Sequence, residues 1–366
     1  MKVLHLHKLT GISGSERHLL ELLPALRAAG ADARFLGLDV PDSDAPRFYA
    51  RLDELGIPYR RIRCGLDLSP RLALDAIRAV RAERPDLVHT HLVHADVYGA
   101  LAATATRTPY VSTRHNDDRY LLGPFRYVDR AFARGARSVI AISDAVRAFL
   151  EAAGHDPRKL VTIRYGLDEL PVTPSLPSPQ DAGIPPDAPL VLAVGRLIEQ
   201  KDHATLLRAF ALVLERRPDA RLAILGAGPL EGATRALAGE LGIGNAAILP
   251  GRLEIRDWLE HADVFVHTAR WEGFGIVLLE AMLASLPVVA TRVSAVPEIV
   301  VDGETGVLVD AGDAETLAAQ LDRLLSDRTL AARLGRAGRT RALEEFSVER
   351  MVERTLAIYR DALSAG

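Results

Sequence analysis

The sequence predicts an α/β protein built from two doubly wound, Rossmann-like halves. Three observations lead there. Short apolar runs alternate with stretches of helical spacing, the pattern of a parallel sheet covered on both faces. A stretch rich in proline, serine and aspartate interrupts that alternation near the middle of the chain. The 366 residues also exceed what one hydrophobic core comfortably holds, so two domains are expected.

In order, Val3–His7 reads as a strand, Lys8–Ser13 as a glycine loop, and Glu16–Ala29 as an amphipathic helix that Gly30 ends. A strand at Ala33–Leu38, a helix near Pro46–Leu55, a strand near Tyr59–Ile62, a helix at Arg71–Arg84 and a strand at Asp86–His91 continue the pattern. Strands at Tyr110–Thr113, Ser138–Ile142 and Leu160–Ile163 follow, with a helix from Asp144. Residues 1–169 form the first domain in this reading, and 170–189, lacking any apolar period, an extended linker. The alternation restarts with strand Leu190–Gly195, helix His203–Arg216, strand Arg221–Gly226, helix Leu230–Leu241 and strand Ala246–Leu249. Strand Asp263–His267, a helix from Gly275, strand Val288–Thr291 and a helix from Asp313 complete a second domain over 190–346. The tail from Ser347 to Leu363 reads as a helix. Ligands of open α/β sheets bind at the carboxyl ends of strands, so both halves can present loops to one cleft.

With 48% hydrophobic and 25% charged residues the composition is that of an ordinary globular protein. A net charge of −3 gives no reason to expect a nucleic-acid partner. Lysine occurs only at positions 2, 8, 159 and 201, so nearly every cation is arginine. The single Cys64 cannot form an internal disulfide and fits a reducing compartment. Met1-Lys2-Val3-Leu4 runs into a strand rather than a signal peptide, and no apolar run is long enough to span a bilayer. The expected location is the cytoplasm.

The chemistry concentrates in Trp271-Glu272-Gly273-Phe274-Gly275, which follows a buried strand and opens a helix. Gly273 and Gly275 let backbone approach a ligand closely. The helix from Gly275 is apolar nearly all round, so it is expected to be buried, and its amino end suits a phosphate. Glu280 is the only charge in it, and a buried carboxylate needs donors such as a ribose diol. Glu272, in the loop, is placed to accept from another polyol. The residues alone also fit a plainer reading, with Glu272 stabilising the helix dipole and Glu280 paired to an arginine.

Other segments enlarge the pattern: a glycine loop at Gly11–Glu16, His115 at the end of a strand, Val194-Gly195-Arg196-Leu197 followed by Lys201, and Val296-Pro297-Glu298-Ile299-Val300 with Asp302-Gly303-Glu304-Thr305-Gly306. Together these resemble glycosyltransferase family 4, retaining nucleotide-sugar enzymes of GT-B fold whose signature is two glutamates with seven residues between. Glu272 and Glu280 match that spacing, with Gly-Phe-Gly between them. The resemblance spans nearly the whole chain. It implies two Rossmann-like domains facing each other across a cleft, with the C-terminal helix returning to the first.

The resemblance also implies roles. Arg196, Lys201, the Gly14 amide and the Gly275 helix end would hold the donor diphosphate, whose negative charge must be stabilised as the bond breaks. Glu280 would take the ribose, Glu272 the sugar hydroxyls, backbone around Gly251 and Arg252 the base, and His115 the donor sugar. Gly273 and Phe274 complete the donor loop. Ser15, Asp117 and Asp118 are the acceptor-side candidates. Ser294 and Ala295 depart from the family, which usually has two glycines there.

Three features invite other readings. Gly226–Gly232 imitates a dinucleotide fingerprint, but its third glycine comes one place late, so strand-to-helix packing is preferred to a dehydrogenase site. His5, His7, His89, His91 and His94 resemble a metal cluster; no Cys or carboxylate completes a zinc set, so a structural role is preferred. Asp42-Ser43-Asp44 imitates the metal-binding D-x-D of another glycosyltransferase fold but reads as a turn. The expectation is a glycosyltransferase with a nucleotide-sugar donor, no cofactor, no required metal and an acceptor that is lipid-linked, saccharide or a small molecule. The alternatives are a GT-B epimerase or phosphorylase and a non-catalytic sugar-nucleotide-binding protein. Arg126, Arg130 and Arg134 recur every fourth residue among aromatic neighbours. That stripe fits peripheral association with an anionic membrane, beside the plainer reading of a solvated helix face.

Overall fold

The computed structural model describes residues 1–41, 43–65, 69–117, 123, 125–168 and 177–364. They fall into two compact units, Met1–Gly166 with Ser347–Gly366, and Leu167–Phe346.

The first unit runs β1 (Lys2–Leu9), α1 (Gly14–Ala28), β2 (Asp32–Asp39), α2 (Ala45–Glu54), β3 (Tyr59–Arg63), α3 (Pro70–Glu83), β4 (Leu87–His91), α4 (Val93–Thr106), β5 (Tyr110–Arg114), α5 (Phe125–Gly135), β6 (Val139–Ala141), α6 (Asp144–Ala152) and β7 (Leu160–Thr162). Its seven described strands are parallel in the order β3-β2-β1-β4-β5-β6-β7. Chain order reverses between β1 and β4, the switch point at which such sheets bind ligands. Register there pairs His5 with His89 and His7 with His91.

The second unit runs β8 (Leu190–Val194), α7 (His203–Arg216), β9 (Arg221–Leu225), α8 (Glu231–Glu240), β10 (Ala247–Gly251), α9 (Arg256–His261), β11 (Val264–His267), α10 (Ile276–Leu283), β12 (Val288–Thr291), α11 (Val296–Ile299), β13 (Val307–Val309), α12 (Ala314–Ser326) and α13 (Arg328–Glu345). The order β10-β9-β8-β11-β12-β13 repeats the first sheet's plan, with its switch point between β8 and β11. These strands carry near-continuous apolar runs because both faces are covered.

The C-terminal helix, Val348–Ser364, belongs to the first unit, where Met351, Val352, Leu356, Tyr359 and Ala362 join the core of Leu19, Leu22, Leu26 and Phe35. Residues 177–189, expected as extended linker, are instead part of the second unit. Ile184 is buried there, and the Pro177 carbonyl accepts a hydrogen bond from Trp258 Nε1 at 3.2 Å. Several elements, α11 among them, were not anticipated. Alanine-rich α4 is buried around much of its circumference and so shows little amphipathic period. α9 and β13 are too short to show one, and α13 follows α12 after a single residue, so the two read as one helix.

Candidate active site

In the second unit, β8 delivers Gly195 and Arg196, after which one 3-10 turn, Glu199–Lys201, leads to α7. Asp202 caps α7, its side chain accepting from the Thr205 N–H at 3.4 Å. Lys201 lays its stem over Gly195, where a Cβ would meet it at 3.4 Å, and ion-pairs with Glu272. His267, the last residue of β11, also hydrogen-bonds Glu272 Oε2, at 3.0 Å. Among the described residues, Glu272 Oε1 makes no hydrogen bond. Three further contacts hold the two loops together. The Thr268 hydroxyl donates to the Lys201 carbonyl at 2.9 Å, Gln200 to the Trp271 carbonyl at 2.9 Å, and Arg270 binds Asp202 at 3.2 Å.

Burial alone would raise the Glu272 carboxyl. The Lys201 charge and the His267 hydrogen bond outweigh it and hold the group well below the usual carboxylate range. His267 is pushed down by burial and by Lys201, with Glu272 opposing. Arg196 is exposed, and its guanidinium has no hydrogen bond or ion pair among the described residues. Its carbonyl faces His203 Nε2 at 3.2 Å. An unpaired arginine beside a buried cation–carboxylate pair suits an anion that arrives with its own charge.

Gly275 caps α10 with φ 96°, the left-handed region where a side chain is strained. A Cβ there would also press on Leu278 at 3.0 Å and Glu272 Cγ at 3.3 Å. Glu280 is 3% exposed inside α10, as its apolar surroundings in the sequence required. Phe274 turns its ring into the core against Phe346, centroids 5.9 Å apart, so what it can offer a ligand is backbone. Gly273 is buried beside it. Gly251 ends β10, its carbonyl accepting from Gly226 N–H at 2.8 Å, with exposed Arg252 next. The fingerprint-like glycines have a packing cause. A Cβ at Gly226 would lie 1.9 Å from the Gly195 carbonyl oxygen, and one at Gly228 2.4 Å from that of Leu197. They let two backbones touch. Ser294, where the family has glycine, takes φ 41°, a conformation that glycine would adopt without the Cβ clash.

In the first unit the switch point holds a buried cluster. His7 Nε2 meets Glu16 Oε1 at 3.0 Å, and its Nδ1 meets the His91 carbonyl at 3.2 Å. Glu16 also accepts from the Ser13 N–H at 3.0 Å and the Ser15 hydroxyl at 3.1 Å. Burial would raise its carboxyl, yet His7 and Ser13 hold it down at about 2. Ser15, expected to face an acceptor, is buried in that network. Gly14 opens α1 and is exposed.

His115 is 9% exposed and has both ring nitrogens engaged, Nε2 with His91 Nδ1 at 3.0 Å and Nδ1 with the Tyr165 hydroxyl. Arg114 before it is buried between Asp96 and Asp129, and Asp129 also bonds His155 at 2.8 Å. Leu92, directly after His91, sits at φ 68° and ψ 156°, a sparsely populated region that marks stored strain at this strand end. Asp117 is half-buried; Asp118 and Asp42 lie outside the described residues. Sequence reasoning missed Glu16, His18 and His267. His18, 5% exposed, stacks on Tyr165 at 4.3 Å. The signals were a charged and a polar residue on the apolar face of α1, and a histidine ending an otherwise apolar strand. Of the five expected histidines, His94 lies apart beside Tyr98. His5, His89 and His91 bring ring nitrogens within 4.8 Å of one another.

Comparison with known proteins covers both units. Residues 12–169 match the family described as Glycosyltransferase Family 4, and residues 177–341 that described as Glycosyl transferases group 1. The chain is 31% identical to alpha-maltose-1-phosphate synthase of Mycolicibacterium smegmatis over 95% of each chain. It is also 31% identical to phosphatidyl-myo-inositol mannosyltransferase of Mycobacterium leprae, over 96% of this chain and 94% of that one. Among solved structures, Anabaena HepE in complex with UDP and glucose superposes with a TM-score of 0.85 at 24% identity, covering 98% of this chain and 99% of that one.

Proposed function

The chain belongs to glycosyltransferase family 4 and has the GT-B architecture, and on that premise we propose a retaining, metal-independent transfer of a hexosyl-type sugar from a nucleoside diphosphate sugar. The observation that carries this is the Lys201–Glu272–His267 cluster beside unpaired Arg196, at the carboxyl ends of β8 and β11. Arg196, Lys201 and the amino end of α10 neutralise the leaving diphosphate. Glu272 keeps its ionised carboxylate oriented through Oε2 and accepts sugar hydroxyls at Oε1. Glu280 takes the ribose diol, and backbone at Gly251 and Arg252 the base. His115 meets a substrate hydroxyl by exchanging its bond to Tyr165. The leaving phosphate oxygen removes the acceptor proton on the face it leaves, which gives retention without a covalent intermediate. Family membership supports glycosyl transfer over the epimerase and non-catalytic alternatives.

A thermal-shift screen of UDP-, GDP- and ADP-sugars tests this. A donor at a hundred times its Kd stabilises the fold by about 2.7 kcal/mol, and the shift is expected to survive EDTA. Glu280→Ala is expected to abolish it, whereas Glu272→Ala keeps nucleotide affinity and loses turnover. Equal loss of affinity in both variants sinks the assignment of roles. Activity that vanishes in EDTA and returns with manganese removes the metal-independent reading.

A second reading concerns where the acceptor lies. Phe125, Tyr127 and Val128 are 65%, 61% and 51% exposed on α5, and Arg126 stacks over the Tyr127 ring at 4.9 Å. Exposed apolar side chains interleaved with arginine suit the surface of an anionic bilayer. Among the described residues no helix is long and apolar enough to cross a membrane. Sedimentation with anionic vesicles is expected to pull the protein down at low salt and release it as salt rises. Phe125→Ser combined with Arg126→Gln and Arg134→Gln is expected to abolish binding. Equal recovery with neutral vesicles would speak against this surface.

A further inference from the structure

The first unit's histidines form more than a packed cluster. Thr113 Oγ1 meets His89 Nε2 at 2.7 Å, and His89 Nδ1 meets the Tyr359 hydroxyl at 2.6 Å. That hydroxyl lies 3.5 Å from His5 Nε2, and His5 Nδ1 lies 3.0 Å from His91 Nε2. His91 Nδ1 meets His115 Nε2 at 3.0 Å, and His115 Nδ1 meets Tyr165. The chain is unbranched through four imidazoles and one phenol, and it joins β5 to the C-terminal helix and back.

A neutral imidazole has one N–H and one acceptor nitrogen, so each ring in such a chain donates on one side and accepts on the other. Burial keeps these rings neutral. His5 is pushed down to about 3, and His89, His91 and His115 fall well below the usual histidine value. Tyr359 is fully buried, and among the described residues its hydroxyl has no partners but these two rings, so it donates to one and accepts from the other. Only two patterns then satisfy every link without stranding that hydrogen, all four rings protonated on Nδ1 or all four on Nε2. Thr113 decides between them. It is 2% exposed, and among the described residues its hydroxyl has no other acceptor, so if His89 donated to it the hydroxyl hydrogen would be buried and unpaired. Thr113 therefore donates, His89 donates to Tyr359, Tyr359 to His5, and so along to His115, which donates from Nδ1.

We propose that Thr113 and Tyr359 are positioning residues that act through this imidazole chain to hold His115 as its Nδ1–H tautomer. Any effect on turnover rests on the reading that His115 meets the substrate; the tautomer itself does not. A ring's tautomer is set by the hydrogen bond at its other nitrogen, and here that dependence runs through three further histidines.

Nitrogen-15 NMR of histidine-labelled protein at neutral pH tests the chain directly, and all four rings are expected to carry the hydrogen on Nδ1. Thr113→Asp replaces the donor end by an acceptor and is expected to turn all four to Nε2–H, while Thr113→Ser keeps the native pattern. Adding Tyr359→Phe to Thr113→Asp cuts the chain and is expected to return His5, His91 and His115 to Nδ1–H with His89 left reversed. Turnover is expected to drop at least about tenfold in Thr113→Asp at unchanged nucleotide affinity and to recover in the double variant, the scale of a misoriented supporting partner. Mixed tautomers in the unaltered protein, or a Thr113→Asp change confined to His89, overturn the chain. Reversed tautomers with unchanged turnover would leave the chain standing and remove His115 from the substrate contacts.

Discussion

Lys201→Ala is expected to lower turnover by about a hundredfold or more, the scale of losing one preorganised charge-stabilising group. It carries a second, separable cost. Lys201 and Glu272 form a mostly buried pair, with 16% and 12% of their side chains exposed. Removing the lysine leaves the carboxylate with His267 as partner, which costs on the order of 3 kcal/mol of stability in the second unit. The double variant Lys201→Ala with Glu272→Gln removes the stranded charge. It is expected to regain most of the stability and none of the turnover. Steady-state kinetics at saturating donor, set beside urea midpoints, separate the two effects. Turnover near the native value in the single variant would place the diphosphate elsewhere.

Acidification is expected to unfold the first unit before the second. His5 and His18 are each pushed by burial from 6.5 down to about 3, and His89, His91 and His115 also lie well below 6.5. A histidine held neutral in the fold lets the unfolded chain take up protons first as pH falls. Its stabilisation is therefore complete above about pH 6.5 and is lost as pH drops toward the folded value. Between pH 7 and pH 5 each such histidine removes roughly 2 kcal/mol, and the five together on the order of 10 kcal/mol, comparable to the stability of a domain. Glu16, held at about 2, adds its loss only at lower pH, below its ordinary 4.5. The second unit has fewer such groups, His203 held at about 4 and His267 lowered. Both tryptophans, Trp258 and Trp271, lie in the second unit. Far-UV circular dichroism should thus lose part of its signal at a higher pH than tryptophan fluorescence responds. Coincident transitions, or a first unit unmoved between pH 7 and pH 4.5, would contradict this.

The sequence by itself determined the doubly wound plan. Parallel strands covered on both faces must be written as short apolar runs between amphipathic helices, and that record is local. It also determined the local form of the loop before α10, because Glu280 in an all-apolar helix and Gly275 at its start announce a buried carboxylate and a left-handed turn without reference to any other segment. What is not written locally is which loops meet. Lys201 and Glu272 stand seventy-one residues apart in the chain, and only the neighbouring of β8 and β11 makes them a pair and brings His267 against them. Ser15 reads as a loop hydroxyl facing a ligand; the fold buries it on Glu16. Tyr359 is not singled out by the sequence of the last helix. It becomes the link between His89 and His5, 270 residues from the first of them, because that helix packs back on the sheet where two histidine-bearing strands lie in register. Tertiary structure decided these points because a hydrogen bond depends on distance and direction in space, which residue spacing carries only within a single helix, strand or turn.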